Sequence, residues 1–247
     1  MCQPCLSCGS SQFKLIWTSW GVSGGGMFPV NLNLERRLFL LVGAGRVGRR
    51  KLDKLLKAGA RGRVVELRPA EDILAWGRAG RLEIFPEYQS DLLDGVSLVF
   101  AAASDRELNR RVAEEAAGRG LWVNVADDPG RSDFELPAVV ERGDFRLTVS
   151  TSGQSPALAA RTAERLRRDF GPEYGLLTRF LGRLRPLVLT SPLNPSARQD
   201  FFKHLLESES LLEALAAGDE KNLEKLLKEL LSPLGLSGPE LNSLRAD

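Results

Sequence analysis

The chain has 247 residues, of which 43% are hydrophobic and 27% charged, and a formal net charge of +2. That length holds one sizeable core with appendages, or two modest domains, and the composition is that of a soluble globular protein with no charge bias toward nucleic acid. No apolar run reaches about 18 residues, so no membrane span is expected, and with His204 as the one histidine a metal site built on histidines is excluded.

Residues 1–26 differ in character from the rest of the chain. Cys2, Cys5 and Cys8 are the only cysteines, so the core carries no thiols and a cytoplasmic location is the default expectation. Their C-x-x-C-x-x-C spacing lacks a fourth ligand, and Gly24-Gly25-Gly26 detaches the segment. The segment also lacks the basic-then-apolar layout of a secretory signal. It reads as a disordered tail or a start-site extension, with Met27 as a plausible start.

From residue 38 strands and helices alternate. Leu38–Val42 is an unbroken apolar run and reads as a buried parallel strand. Gly43, Ala44, Gly45, Arg46, Val47 and Gly48 come next in G-x-G-x-x-G spacing, and a helix is expected from about Arg46 to Ala58. Gly43 permits a tight turn, Gly45 lets backbone approach a pyrophosphate, and Gly48 lets helix and strand pack closely. The helix N-terminus offers free N–H groups to phosphates. After a turn at 59–62, strand two is expected at Arg63–Leu67. Glu66 then stands where a carboxylate bonds the adenosine ribose of NAD, although Arg68 would suit the 2′-phosphate of NADP. NAD is the preferred cofactor.

A helix is expected at 70–80, a third strand at Leu82–Phe85 and a fourth at Val96–Ala103. Ala102 and Ala103 end that strand where a dinucleotide would pass. Asp105 and Asn109 read as helix caps. Leu121–Ala126 is strand five, with Asp127-Asp128-Pro129 beyond its end, which taken alone is turn chemistry. This order implies βαβ units and a parallel Rossmann-like sheet.

The pattern changes near Asp133. Residues 133–140 and 145–151 read as two strands about the turn Arg142-Gly143-Asp144. Ser155 caps a helix running from Pro156 to about Phe170. Its N–H groups, the hydroxyls of Thr151, Ser152 and Ser155, and Arg161 suit a carboxylate-bearing ligand. After Gly171 the chain reads as helical. Phe201, Leu205, Leu212 and Leu215 share one face, and Leu223, Leu226, Leu227, Leu230 and Leu231 form a stripe behind the cap Asp219.

Four segments together resemble one family: F-P-V-N-L (28–32), V-G-A-G-R-V-G-R-R-K (42–51), N-V-A-D-D-P (124–129) and S-T-S-G-Q-S-P-A-L-A (150–159). In this order they are similar to precorrin-2 dehydrogenase, the siroheme-synthase family that includes bifunctional dehydrogenase/ferrochelatases, over about residues 27–186. The resemblance implies an NAD-binding Rossmann domain (27–132), a dimerisation and tetrapyrrole-binding segment (133–170) and a helical C-terminal domain (171–247). The fold class is therefore α/β: a Rossmann-like parallel sheet, a small α+β dimerisation domain and a helical region. The methyltransferase half that some relatives carry has no counterpart expected here.

The implied activity is NAD-dependent oxidation of precorrin-2 to sirohydrochlorin by a homodimer, followed in some members by Fe²⁺ insertion as co-substrate. The first aspartate after N-V-x is the family's catalytic position, which is Asp127 here. Asn124, Thr151, Ser152, Gly153, Ser155 and Arg161 become substrate-binding candidates, and no resident metal is implied. A regulatory NAD-binding module without catalysis would share the glycine turn and Glu66 but would leave N-V-A-D-D-P and S-T-S-G-Q-S-P unexplained. A dehydrogenase of small metabolites would need a catalytic histidine or a tyrosine-lysine pair. Neither Tyr88 nor Tyr174 has a lysine in helical register.

Overall fold

The computed structural model describes residues 27–232. The cysteine motif and the tail assigned to residues 1–26 lie outside them. The chain divides into two compact units at the Glu135–Leu136 junction.

The first unit holds a parallel sheet of β1 (Leu38–Val42), β2 (Arg61–Val65), β3 (Leu82–Phe85), β4 (Val96–Ala101) and β5 (Trp122–Val125), in the order β3-β2-β1-β4-β5. Helices α1 (Arg46–Lys57), α2 (Glu71–Arg78) and α3 (Arg106–Gly118) make three of the crossovers, and the short helical turn Ser90–Leu93 lies in the fourth, from β3 to β4. The central strand β1 is apolar throughout because both of its faces are covered. Phe39 and Leu41 pack with Leu52, Leu55 and Leu56 of α1, while Leu40 and Val42 pack with Val112 and Ala116 of α3. Each such leucine, fully buried, contributes roughly 2 kcal/mol.

Three expected strands shift their boundaries. Strand two is displaced from 63–67 to Arg61–Val65, leaving Leu67 exposed. Gly62 belongs to the strand rather than the turn, because a Cβ there would lie 2.4 Å from the Phe39 ring. The strand expected at 133–140 begins only at Ala138. Residues 132–133 instead cover the edge of β5: Val125 N–H donates to Ser132 Oγ (2.9 Å) and Val123 N–H to Asp133 Oδ2 (2.8 Å). Strand four likewise stops at Ala101, with Ala102 N–H still bonded to Val42 O.

The second unit contains the antiparallel hairpin β6 (Ala138–Arg142) and β7 (Phe145–Val149), with α4 (Pro156–Asp169) packed on it. Phe145, Phe170 and Tyr174 form an aromatic cluster, and Arg142 Nε donates to Phe170 O at the end of α4. Four further helices complete it: α5 (Glu173–Thr190), α6 (Pro195–Leu206), α7 (Glu209–Ala217) and α8 (Glu220–Leu231). Their shared core includes Phe180, Leu184, Leu205, Leu211, Leu227 and Leu231. The face expected to carry Leu212 buries Leu211 instead, because the chain breaks at Glu207-Ser208 between α6 and α7 and resets the helical phase. Among the described residues no helix is long and apolar enough to cross a membrane.

Candidate cofactor and active site

The turn from β1 into α1 gives each glycine of the G-x-G-x-x-G spacing a distinct task. Gly43 has φ +87°, and a Cβ on it would lie 2.5 Å from Ala103 N and Cα. Gly45 has open space where a Cβ would project, so a ligand can approach its backbone. Gly48 is buried, and a Cβ there would come within 2.0 Å of Gly43 O. No side chain caps the N-terminus of α1 and no acidic residue occupies its first turn. The donors there are left for an anion.

Glu66 stands one residue past β2. Its carboxylate accepts from Ala44 N–H (2.8 Å) and from Arg68 N–H (3.3 Å), which ties the glycine turn to the end of β2. Ala44, Gly45, Arg46, Glu66 and Arg68 line one cavity of about 420 Å³. Val47 is exposed on the first turn of α1. The residues present fit a dinucleotide: an open glycine at the phosphates, an uncapped helix end, and a carboxylate at the ribose end.

A second cavity, of about 560 Å³, opens at the ends of β4 and β5 and is lined by Ala103, Asn109, Arg110, Asp127, Asp128 and Arg131, among others. Asn109 corrects an expectation. It does not cap α3, a role held by Asp105, which accepts from Glu107 and Leu108 N–H. Buried Asn109 clamps Ala103 instead, with Oδ1 accepting from its N–H and Nδ2 donating to its carbonyl, both at 2.9 Å. Asn109 thereby holds the alanine against which Gly43 packs, and Ala102 lies just before it.

Asp127 is exposed in this cavity and has φ +63°, a left-handed backbone that costs a non-glycine residue about 1 kcal/mol or more. Aspartate tolerates that region better than most residues. Two ion pairs flank it, Asp128–Arg131 at 3.0 Å and Glu107–Arg110.

Asn124 is buried on β5, with its carboxamide engaged at both ends. Oδ1 accepts from Lys51 Nζ, and Nδ2 donates to Phe134 O at 2.8 Å. Lys51 was missed in the sequence, although it lies inside the glycine motif's helix. Its Nζ lies 5.9 Å from the Phe100 ring centroid. Burial lowers its pKa, the neighbouring Lys54 charge lowers it further, and the Asp127 carboxylate pulls it back up. A lysine in an amphipathic helix reads as solvated until the sheet behind it is known.

The remaining residues singled out in the sequence belong to the second unit. Thr151 Oγ1 accepts from Ser155 N–H (3.1 Å), and Ser155 Oγ caps α4 by accepting from Leu158 N–H (3.2 Å). Ser152 has φ +50° and Gly153 φ +75°, so the loop turns sharply and leaves both exposed. Arg161 is exposed one turn into α4.

Two family models match the chain. One, described as NAD(P)-binding, covers residues 30–138; the other, the sirohaem synthase dimerisation region, covers residues 173–231. The siroheme synthase of Chromobacterium violaceum is 38% identical over 194 residues, which is 78% of this chain and 41% of that protein. Siroheme synthase 2 of Cronobacter sakazakii is 33% identical over 205 residues, 83% of this chain and 45% of that protein. The chain thus spans less than half the length of these curated relatives. The solved structure described as SirC, precorrin-2 dehydrogenase, superposes with a TM-score of 0.69 at 25% identity, covering 83% of this chain and all of that one.

Proposed function

Because this chain belongs to the siroheme synthase family, we propose that it is an NAD-dependent precorrin-2 dehydrogenase, oxidising precorrin-2 to sirohydrochlorin on the route to siroheme. One observation carries the reading: the glycine turn and the candidate base meet at a single residue. Gly43 packs on the backbone of Ala103, and Ala103 lines the cavity that holds Asp127.

Oxidation removes a hydride and a proton from the substrate. NAD, when bound, supplies the hydride acceptor. Gly45 and the first N–H groups of α1, at Arg46 and Val47, hold its pyrophosphate, with Ala44 and Gly48 shaping the turn. Glu66 takes the ribose hydroxyls, and its charge disfavours a 2′-phosphate, so NAD is preferred over NADP. Ala102 and Ala103 present small side chains along the dinucleotide's path. Asp127 takes the proton as general base. Thr151, Ser152, Gly153, Ser155 and Arg161 are assigned to the carboxylates of the tetrapyrrole, and Asn124 keeps one amide hydrogen for it beyond the bond to Phe134.

Anaerobic turnover of precorrin-2 with NAD tests the reading. NADH should form in step with sirohydrochlorin, and Asp127→Asn should lower kcat by about a hundredfold or more while NAD still binds. Absence of NADH from the wild-type protein, with tight NAD binding retained, would replace the enzyme by a regulatory NAD-binding module. The finer parts of the proposal are Fe²⁺ as co-substrate of a second, metal-inserting step, a homodimeric assembly and a cytoplasmic location. Insertion is supported by the siroheme synthases among the relatives, and Asp127 is the group available to take pyrrole protons. Fe²⁺ added after the oxidation should give an enzyme-dependent shift to the siroheme spectrum.

A further inference from the structure

The cavity at the ends of β4 and β5 is lined by six charged side chains, and they fall into two sets. Glu107 pairs with Arg110, which also holds Glu114, and Asp128 pairs with Arg131 at 3.0 Å. The side chains of Arg106 and Asp127 line the same space and make no hydrogen bond or ion pair among the described residues, with each other or with a neighbour. Arg106 is the first residue of α3, where the partial positive charge of the helix end disfavours a cation. Asp105 beside it directs its carboxylate to the N–H groups of Glu107 and Leu108. The Arg106 guanidinium is therefore exposed at the cavity wall with its donors open.

An arginine already matched by a carboxylate has little charge to offer a ligand, whereas an unmatched one keeps its planar fork for an incoming carboxylate. The oxidation assigned to this cavity acts on a tetrapyrrole rimmed by carboxylate side chains, and the proton lost comes from its macrocycle. One substrate thus presents an anion for Arg106 and a proton for Asp127. The two protein groups border a space of about 560 Å³ without neutralising each other.

We propose that Arg106 is a substrate-binding residue, its guanidinium receiving a peripheral carboxylate of the tetrapyrrole and holding the macrocycle in the cavity that Asp127 lines. This rests on the proposed oxidation of precorrin-2 with Asp127 as base. Arg110 and Arg131 build the wall of the cavity, their charge being matched by their own partners.

Binding of the product tests the contact without turnover. Sirohydrochlorin is titrated into the full chain and followed by fluorescence. Arg106→Gln should raise its Kd about tenfold and leave the Kd of NAD unchanged. The thermal midpoint should stay or rise slightly, because an exposed cation leaves the helix end. Arg106→Lys should recover part of the affinity. Arg36→Gln, which removes an exposed arginine outside the cavity, should leave the Kd of sirohydrochlorin where it was. An unmoved Kd in Arg106→Gln, or an equal rise in Arg36→Gln, would overturn the proposal. A parallel rise in the Kd of NAD would overturn it too, by placing Arg106 on the dinucleotide.

In precorrin-2 oxidation, Arg106→Gln should raise KM for precorrin-2 about tenfold and hold kcat within about twofold, since the contact is made alike before and during the reaction. A fall in kcat at unchanged KM would contradict a binding role. If the wild-type protein binds sirohydrochlorin but forms no NADH from precorrin-2, the reaction assignment fails, while the titration still decides the role of Arg106. If it binds no sirohydrochlorin, both assignments fall.

Discussion

Gly43 and Asp127 occupy left-handed backbone positions in the candidate cofactor and catalytic site, at φ +87° and +63°. They make opposite predictions. At Gly43 a methyl group would strike Ala103 backbone, which Asn109 clamps and which cannot retreat. Gly43→Ala should therefore cost about 2 kcal/mol or more, read as a lower midpoint in urea, and should weaken NAD binding by calorimetry. At Asp127 the strain belongs to the side chain's presence. Asp127→Gly should raise stability by about 0.5–1 kcal/mol while abolishing turnover, the exchange expected where strain is held for function. The glycine spacing and the N-V-A-D-D-P segment were legible in the sequence, because spacing and turn chemistry are local. Lys51 and Asn109 were not, since their partners, Asn124 and Ala103, become neighbours only through the sheet or a loop whose path the sheet sets.

Elements show the same division. The caps Asp105, Ser155 and Asp219 stand where the sequence put them, each accepting N–H groups two or three residues ahead. Ser155→Ala should cost about 1 kcal/mol and lower the thermal midpoint by a few degrees. Asn109 acts between elements, joining α3 to the end of β4. Asn109→Ala leaves Ala103 N–H and C=O without their partner, at a cost of about 1–3 kcal/mol, and should raise the Kd for NAD, measured by fluorescence titration. The misplaced starts of β2 and of the strand expected at 133–140 have tertiary causes. The Phe39 ring needs a glycine inside β2, and Ser132 and Asp133 bond the edge of β5 before the hairpin begins.

On the scale of the whole molecule, each unit has its own core, and every residue assigned to NAD lies before Glu135. A chain truncated to residues 27–135 should therefore fold and bind NAD with a Kd within about threefold of the full chain; loss of binding would show that the cofactor site needs the second unit. Sedimentation should give a particle of roughly twice the 27.1 kDa chain mass, as the dimerisation-region match to residues 173–231 leads one to expect. By itself the sequence determined the alternation of strands and helices, the phosphate turn, the helix caps and the aspartate beyond strand five. All of these rest on periodicity and on interactions spanning a few residues. Only the tertiary structure decided strand register, the clamp on Ala103 and the seat of the Lys51 ammonium on Asn124. Those contacts join residues far apart in the chain, and pairing at such separation is set by which side chains the packed sheet leaves room for.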